Sequence, residues 1–285
     1  MQQVIACLDE STWSTSVQDA ALWAADRLQG QLVLFHSIAK EPLPVSSDLS
    51  GAIGLGARSK LMAEISHLDQ QRAKMALQLG KKLIDSAYAK AQEAGLTDIL
   101  TVQRHGDFVG SVQEHVQEHP DSLLVAGHAG AESEQRGALL GGHIESLLRQ
   151  ASVPVLLTPR EFIAPERFLL AFDGRATTEK AIQHILDTGL LTGMECHIVA
   201  IRNKQSDLEE RLERASETLA QHGFTVTSKL LEGDIAGQLL EYQKMHGIGL
   251  LVMGAFAGSR LRQLFIGSNT LKVLTGSAVP VLVYR

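Results

Sequence analysis

Cysteine is nearly absent from this chain. Cys7 and Cys196 are the two in 285 residues. Each lies in a stretch that reads as a buried strand, and neither has a partner within its own half of the chain. That excludes a disulfide framework, and no spacing suggests a zinc site. Both are expected to be small core residues in a reducing compartment. Positive charge is also in short supply, with a formal net charge of -6. Nucleic acid and anionic membrane select basic surfaces, so neither is expected as the main partner. The first residues lack a basic region followed by a long apolar run, which predicts no secretory leader. No apolar run approaches the ~20 residues that span a bilayer. The expectation is a cytoplasmic protein without membrane insertion. No G-x-G-x-x-G follows the first strand, which argues against a NAD dehydrogenase.

What is present is a repeat. Gly106-Asp107-Phe108-Val109-Gly110 corresponds to Gly233-Asp234-Ile235-Ala236-Gly237. Each is followed by a helical stretch and then a strand, Leu123–Gly127 or Leu250–Gly254. Each half closes on a Val-Pro-Val strand, Val153–Leu157 or Val279–Val283. The starts match as well, Val4–Asp9 against Leu169–Asp173. The chain is therefore a domain duplication, with domains predicted at 1–158 and 167–285. Pro159 to Glu166, with two prolines, reads as the linker between them.

Within the first repeat, strands are expected near Val4–Leu8, Gln31–His36, Ile99–Arg104, Leu123–Ala126 and Val153–Leu157. These short runs of Val, Ile and Leu have the character of parallel strands buried on both faces. Helices are expected between them, for example Ser16–Arg27 and Gln70–Ala94. The alternation predicts an α/β fold of right-handed crossovers and, in each repeat, a five-stranded doubly wound parallel sheet flanked by helices. Such sheets bind ligands beyond the carboxyl ends of their strands, where the strand order reverses.

Two features fall at such strand ends. The first is the glycine-rich turn Met253-Gly254-Ala255-Phe256-Ala257-Gly258, with Gly267-Ser268-Asn269-Thr270 opening a helix read as Asn269–Thr275. Glycine lets backbone N–H groups converge on an anion, and Ser268 or Thr270 can cap the helix or donate to a phosphate oxygen. A tight turn with a capping serine is the structural alternative. The second feature is an aspartate ending strand one, Asp9 or Asp173. It can accept from a ribose hydroxyl or an adenine amino group, or cap the next helix; in the first repeat Ser11 competes for that cap.

Taken together, these residues resemble the universal stress protein family over essentially the whole chain, twice. The resemblance rests on four features: the strand-one aspartate, the Gly-Asp start of the third helix, the Val-Pro-Val strand, and a loop Gly-x-x-Gly-x(9)-Gly-Ser/Thr. It implies two tandem Rossmann-like domains of the adenine nucleotide alpha hydrolase-like type. It also implies ATP, ADP or AMP held mainly in the second repeat, with Mg²⁺ left open. By position, Asp173 and Ile201 would meet ribose and adenine. Met253, Gly254, Phe256, Ala257 and Gly258 would line the loop, and Gly267, Ser268, Asn269 and Thr270 would meet the phosphates. Ala257 departs from the family's second glycine. If it must take positive φ, the cost is about 1 kcal/mol. Phe172, before the aspartate, is bulky enough to crowd the base or stack on it.

The first repeat departs further. Asp9, Gly127 and Gly130 remain, but Ser37 ends strand two where an apolar residue would suit adenine better, the loop is one residue longer before Gly141, and Gly142 replaces the hydroxyl residue. That insertion should move the phosphate donors out of register, leaving a degenerate site. The resemblance further implies a stress-related regulatory role, an unidentified protein partner, pairing of the two domains through their last strands, and homodimers. No catalytic residues stand out: the loop has no Lys, and no carboxylate cluster or nucleophile–base pair is evident. The alternatives are a scaffold without nucleotide and a slow ATPase.

Three other segments invite function. His115-Val116-Gln117-Glu118-His119 matches H-x-x-E-H, but no third ligand is evident, and the stretch reads as a solvated helix face. Arg260 and Arg262 follow the loop and could neutralise phosphate. Glu41–Arg58 reads as a long loop running into a helix that starts near Lys60, either a lid or a surface insertion.

Overall fold

The computed structural model describes residues 2–38, 55–130, 140–203, 205–254 and 267–285, with side chains of the second helix described from residue 63. The elements run β1 (Gln3–Leu8), α1 (Ser14–Leu28), β2 (Gln31–Ile38), α2 (Leu55–Glu93), β3 (Ile99–His105), α3 (Phe108–Glu118), β4 (Ser122–Gly127), α4 (Gly142–Gln150) and β5 (Val155–Thr158). The second repeat follows with β6 (Arg167–Phe172), α5 (Ala176–Thr188), β7 (Glu195–Ile201), α6 (Leu208–Gln221), β8 (Thr225–Leu231), α7 (Ile235–Met245), β9 (Leu250–Gly254), α8 (Ser268–Gly276) and β10 (Val281–Tyr284).

Among the described residues the ten strands form one sheet in the order β3-β2-β1-β4-β5-β10-β9-β6-β7-β8. Each repeat is parallel, with its order reversing between β1 and β4 or between β6 and β9. The last strands pair antiparallel, Leu156 opposite Leu282. The domains thus join through β5 and β10. Because that pairing is antiparallel, the strands of the two repeats point in opposite directions, and the strand ends that frame their two crevices face opposite ways.

Helices cover both faces. One apolar cluster packs α1, α2, α5 and α6 on one face, and a second packs α3, α4, α7 and α8 on the other. Both clusters run through both repeats. Cys7 and Cys196 are buried, and burial pushes both thiols up to about 12. They are inert core residues at neutral pH.

The repeated Gly-Asp has a local physical cause. Gly106 and Gly233 take φ of 144° and 119°, a region open to glycine. Asp107 and Asp234 then cap α3 and α7, accepting from Gly110 N at 2.8 Å and Gly237 N at 2.9 Å.

The structure corrects several boundaries. β5 and β10 begin at Val155 and Val281, after the prolines. Proline has no N–H to give the ladder, yet its carbonyl accepts: Pro154 from Leu124 N and Pro280 from Leu251 N, each at 3.0 Å. α2 starts at Leu55, well before Gln70 or Lys60. Of the expected loop Glu41–Arg58, residues 41–54 lie outside the described residues and the rest is helix. Glycine is no breaker at Gly80 of α2 either. A Cβ there would come within 2.5 Å of the His36 ring, so glycine lets the helix lie close on β2. The solvated-face reading of His115 is wrong, since the side chain is buried against Phe35 with ring centroids 6.0 Å apart.

Candidate functional site

In the second repeat the crevice lies between the ends of β6 and β9. Phe172, the last residue of β6, is buried in the apolar cluster that packs α1, α2, α5 and α6. Asp173 follows, with its side chain 41% exposed. Gly174 takes φ 71°, and the turn it allows brings Arg175 N and Thr178 Oγ1 to Asp173 Oδ1, each at 3.0 Å. Oδ1 therefore braces the turn into α5, although the N-cap of that helix is Arg175 and not the aspartate. Oδ2 lies 3.7 Å from Arg175 Nε.

Ile201 ends β7 and is buried. Met253 and Gly254 end β9. A Cβ on Gly254 would lie 3.0 Å from Thr177 Cγ2, so glycine is what lets the first turn of α5 close on this strand end. α8 begins at Ser268, with Gly267 as N-cap at φ -59° and ψ 142°. Glycine offers no capping side chain, and none is bonded there. Helix geometry leaves the first-turn N–H groups without intrahelical acceptors, which makes the turn an anion receptor. Ser268 is exposed, Asn269 half-buried and Thr270 buried. Phe256, Ala257, Gly258, Arg260 and Arg262 lie outside the described residues.

The first repeat places the corresponding groups differently. Ser11 does not cap α1; its backbone N–H donates to Asp9 Oδ1 at 3.0 Å. Asp9 reaches across the crevice, its Oδ2 2.9 Å from where a Gly130 Cβ would stand. Ser37 lies one residue before the end of β2 and donates its hydroxyl to Gly106 O at 3.1 Å. Gly127 ends β4, and Gly141 N donates to His128 O at 3.0 Å. Gly141 caps α4 at φ -72° and ψ 140°, close to Gly267, and Gly142 opens the helix. The start of the helix thus keeps its backbone form. The extra loop residue falls between Gly130 and Gly141, where 131–139 lie outside the described residues.

Sequence reasoning missed Trp13. Matching Asp9 with Asp173 sets Trp13 against Thr177, so the signal was available. The Trp13 side chain is buried over the end of β4, its Cβ 2.6 Å from where a Gly127 Cβ would sit, with the Arg160 guanidinium 4.7 Å from its ring centroid. An indole therefore occupies the position that a threonine holds in the second repeat. Thr177, Thr178 and Gly174 were missed too, because their roles depend on contacts that no motif encodes.

His128 follows Gly127 and is buried, and its Nε2 meets no hydrogen-bond partner among the described residues. Burial pushes the imidazole from 6.5 down to about 4. The unfolded chain then binds this proton more tightly than the folded chain does. The stability held by neutral His128 is present above about pH 6.5 and is lost as pH falls toward about 4. That gap corresponds to about 3 kcal/mol. His128→Leu should flatten the acid limb of urea-unfolding stability by about that amount. An unchanged pH slope would refute it.

Comparison with known proteins fits this geometry. The profile of the Universal stress protein family matches residues 1–159 and again 165–285. The chain is 29% identical over 289 residues to Universal stress protein Slr1230 of Synechocystis, covering all of both chains. It is 32% identical over 106 residues to Universal stress protein YxiE of Bacillus subtilis, covering 35% of this chain and 72% of that one. The crystal structure of a universal stress protein from Archaeoglobus fulgidus superposes with a TM-score of 0.67 at 19% identity, covering 99% of this chain and 95% of that one. The chain belongs to the universal stress protein family, with one copy of the family's domain in each half.

Proposed function

We propose that this protein is a nucleotide-responsive regulator that binds ATP, ADP or AMP in its second repeat. The observation that carries the reading is the start of α8. Its first-turn amides stand uncapped beside Gly267, with Ser268 exposed, in the repeat whose crevice also holds a half-exposed Asp173 and the buried Ile201. Amides and the helix dipole attract phosphate. Ile201 supplies apolar surface for a base, and Asp173 Oδ2 an acceptor for a ribose hydroxyl.

The first repeat reads as a weak or empty site. Trp13 stands over its strand end, Ser37 is engaged with Gly106, and Gly142 replaces the hydroxyl. In this reading the role is binding and not catalysis. Occupancy would then alter contacts with a protein partner in the cytoplasm, with the chain itself forming homodimers.

The test uses the full chain. Protein purified without added ligand is denatured, and the supernatant is run on anion-exchange chromatography. An adenine nucleotide is expected there, and millimolar ATP should raise the melting temperature of stripped protein. Absence of both would sink the reading in favour of a scaffold. Conversion of bound ATP to ADP with time would replace it with a slow ATPase.

A further inference from the structure

The last turn of α3 carries a chemistry that the nucleotide reading does not use. His115, Glu118 and His119 stand at i, i+3 and i+4, so one helical turn presents all three on one side. One potential ligand atom from each lies within 4.8 Å of the other two. The imidazole rings are 4.9 Å apart between centroids. We propose that this turn is a site for a divalent transition-metal cation of the zinc type, with two imidazole nitrogens and one carboxylate oxygen as protein ligands and water completing the shell.

Ligand atoms around a tetrahedral zinc are about 3.4 Å apart, given bonds of about 2.1 Å. The three groups need close by only about an ångström or so, and Glu118 is free to swing because its side chain is 67% exposed. The donor set, two nitrogens and one oxygen, suits zinc and its neighbours rather than Ca²⁺ or Mg²⁺.

A polar relay behind the site prepares His115. Gln31 Nε2 donates to Asp98 Oδ1 at 2.7 Å, Gln3 Nε2 donates to Gln31 Oε1 at 2.8 Å, and His115 Nε2 stands 3.1 Å from Gln3 Oε1. An ionised carboxylate only accepts. It therefore orients the Gln31 amide, which orients Gln3, which turns an acceptor toward the ring. His115 Nε2 carries the hydrogen, and Nδ1 keeps its lone pair. Metal-binding histidines are typically held by such an outer acceptor.

Arg104 is the opposing group. Its Nη2 is 3.9 Å from Glu118 Oε2 and its Nη1 3.0 Å from Glu114 Oε2. The long contact to an exposed Glu118 is weak and releases that carboxylate cheaply, while Glu114 retains the guanidinium. The duplication supplies an internal control. Matching Asp107 with Asp234 places Tyr242, Met245 and His246 at the three positions, which leaves one imidazole and no carboxylate. There Tyr242 bonds His197 Nδ1 at 2.9 Å and stacks on His246, with ring centroids 4.0 Å apart.

The full-length protein, stripped with chelator and free of nucleotide, is titrated with Zn²⁺ by calorimetry and with Co²⁺ by visible absorbance. One equivalent per chain is expected, with an intense low-coordinate Co²⁺ spectrum. His119→Ala and Glu118→Gln, both on accessible side chains, should each weaken Zn²⁺ at least tenfold and reduce the Co²⁺ band. His246→Ala should change neither. Absence of saturable binding, or equal binding by parent and the His119→Ala/Glu118→Gln double variant, would overturn the site. Neither readout depends on nucleotide, so failure here leaves the ATP reading standing.

Discussion

Replacing Gly267 with valine is expected to abolish the nucleotide-induced rise in melting temperature while leaving the fold intact. The backbone at Gly267, φ -59° and ψ 142°, is a conformation that any residue adopts. Among the described residues, a Cβ there would meet only Thr270 Oγ1, at 3.7 Å. Loss of a tolerant N-cap residue should cost about 1 kcal/mol or less. The branched side chain would, however, stand beside the amides of Ser268 and Asn269. A phosphate oxygen must approach those amides to about 2.9 Å. Hydrogen bonds to a charged group contribute about 1.5–3 kcal/mol each. Losing two lowers affinity by at least about a hundredfold. Gly142→Val, one residue past the Gly141 cap that corresponds to Gly267, is the control in the first repeat; among the described residues a side chain there meets nothing within 4 Å, and it should leave the shift unchanged. A shift that survives Gly267→Val, measured by thermal melting with and without ATP, would move the site elsewhere.

Leu282→Ala is expected to lower the stability of the whole chain by about 2–5 kcal/mol, the range for a fully buried leucine whose neighbours cannot collapse into the gap. Leu282 is 0% exposed and lies opposite Leu156, also 0% exposed, across the antiparallel junction of β5 and β10. Both belong to the apolar cluster that runs through the two repeats. A double-mutant cycle with Leu156→Ala should give a coupling of about 0.5–3 kcal/mol, since contacting residues do not act additively. Urea unfolding measures both. A loss below about 0.5 kcal/mol for Leu282→Ala would mean that the junction is not a packed core.

Much of the architecture was readable before any coordinates. The continuous apolar runs marked the buried parallel strands, because a strand covered on both faces has no polar side to show. The Gly-Asp pairs marked the starts of α3 and α7, because only glycine tolerates the φ required and aspartate caps. The prolines of the final strands misled by two residues, since proline can face a ladder with its carbonyl without joining it. Helix α2 was underestimated because local composition around Gly54 and Gly56 suggested a loop, and propensity is a weak guide to where a helix starts.

The candidate sites were legible only in part. Asp173, Gly254 and Gly267 could be placed at strand and helix ends, because those ends are set by local pattern. Which oxygen of Asp173 is engaged, and that Phe172 is buried in the core, depends on groups brought from other elements. Trp13 over Gly127 and His115 against Phe35 are of the same kind.

The amino-acid order alone determined that the chain is a duplication, and which half keeps a hydroxyl at the start of its last helix. These are facts of residue type at matched positions, and they need no distances. Tertiary structure decided how the halves join, which way their crevices face, and which polar groups are buried together. Those outcomes come from side chains far apart in sequence meeting within a few ångströms, and such encounters leave no periodic trace in the chain.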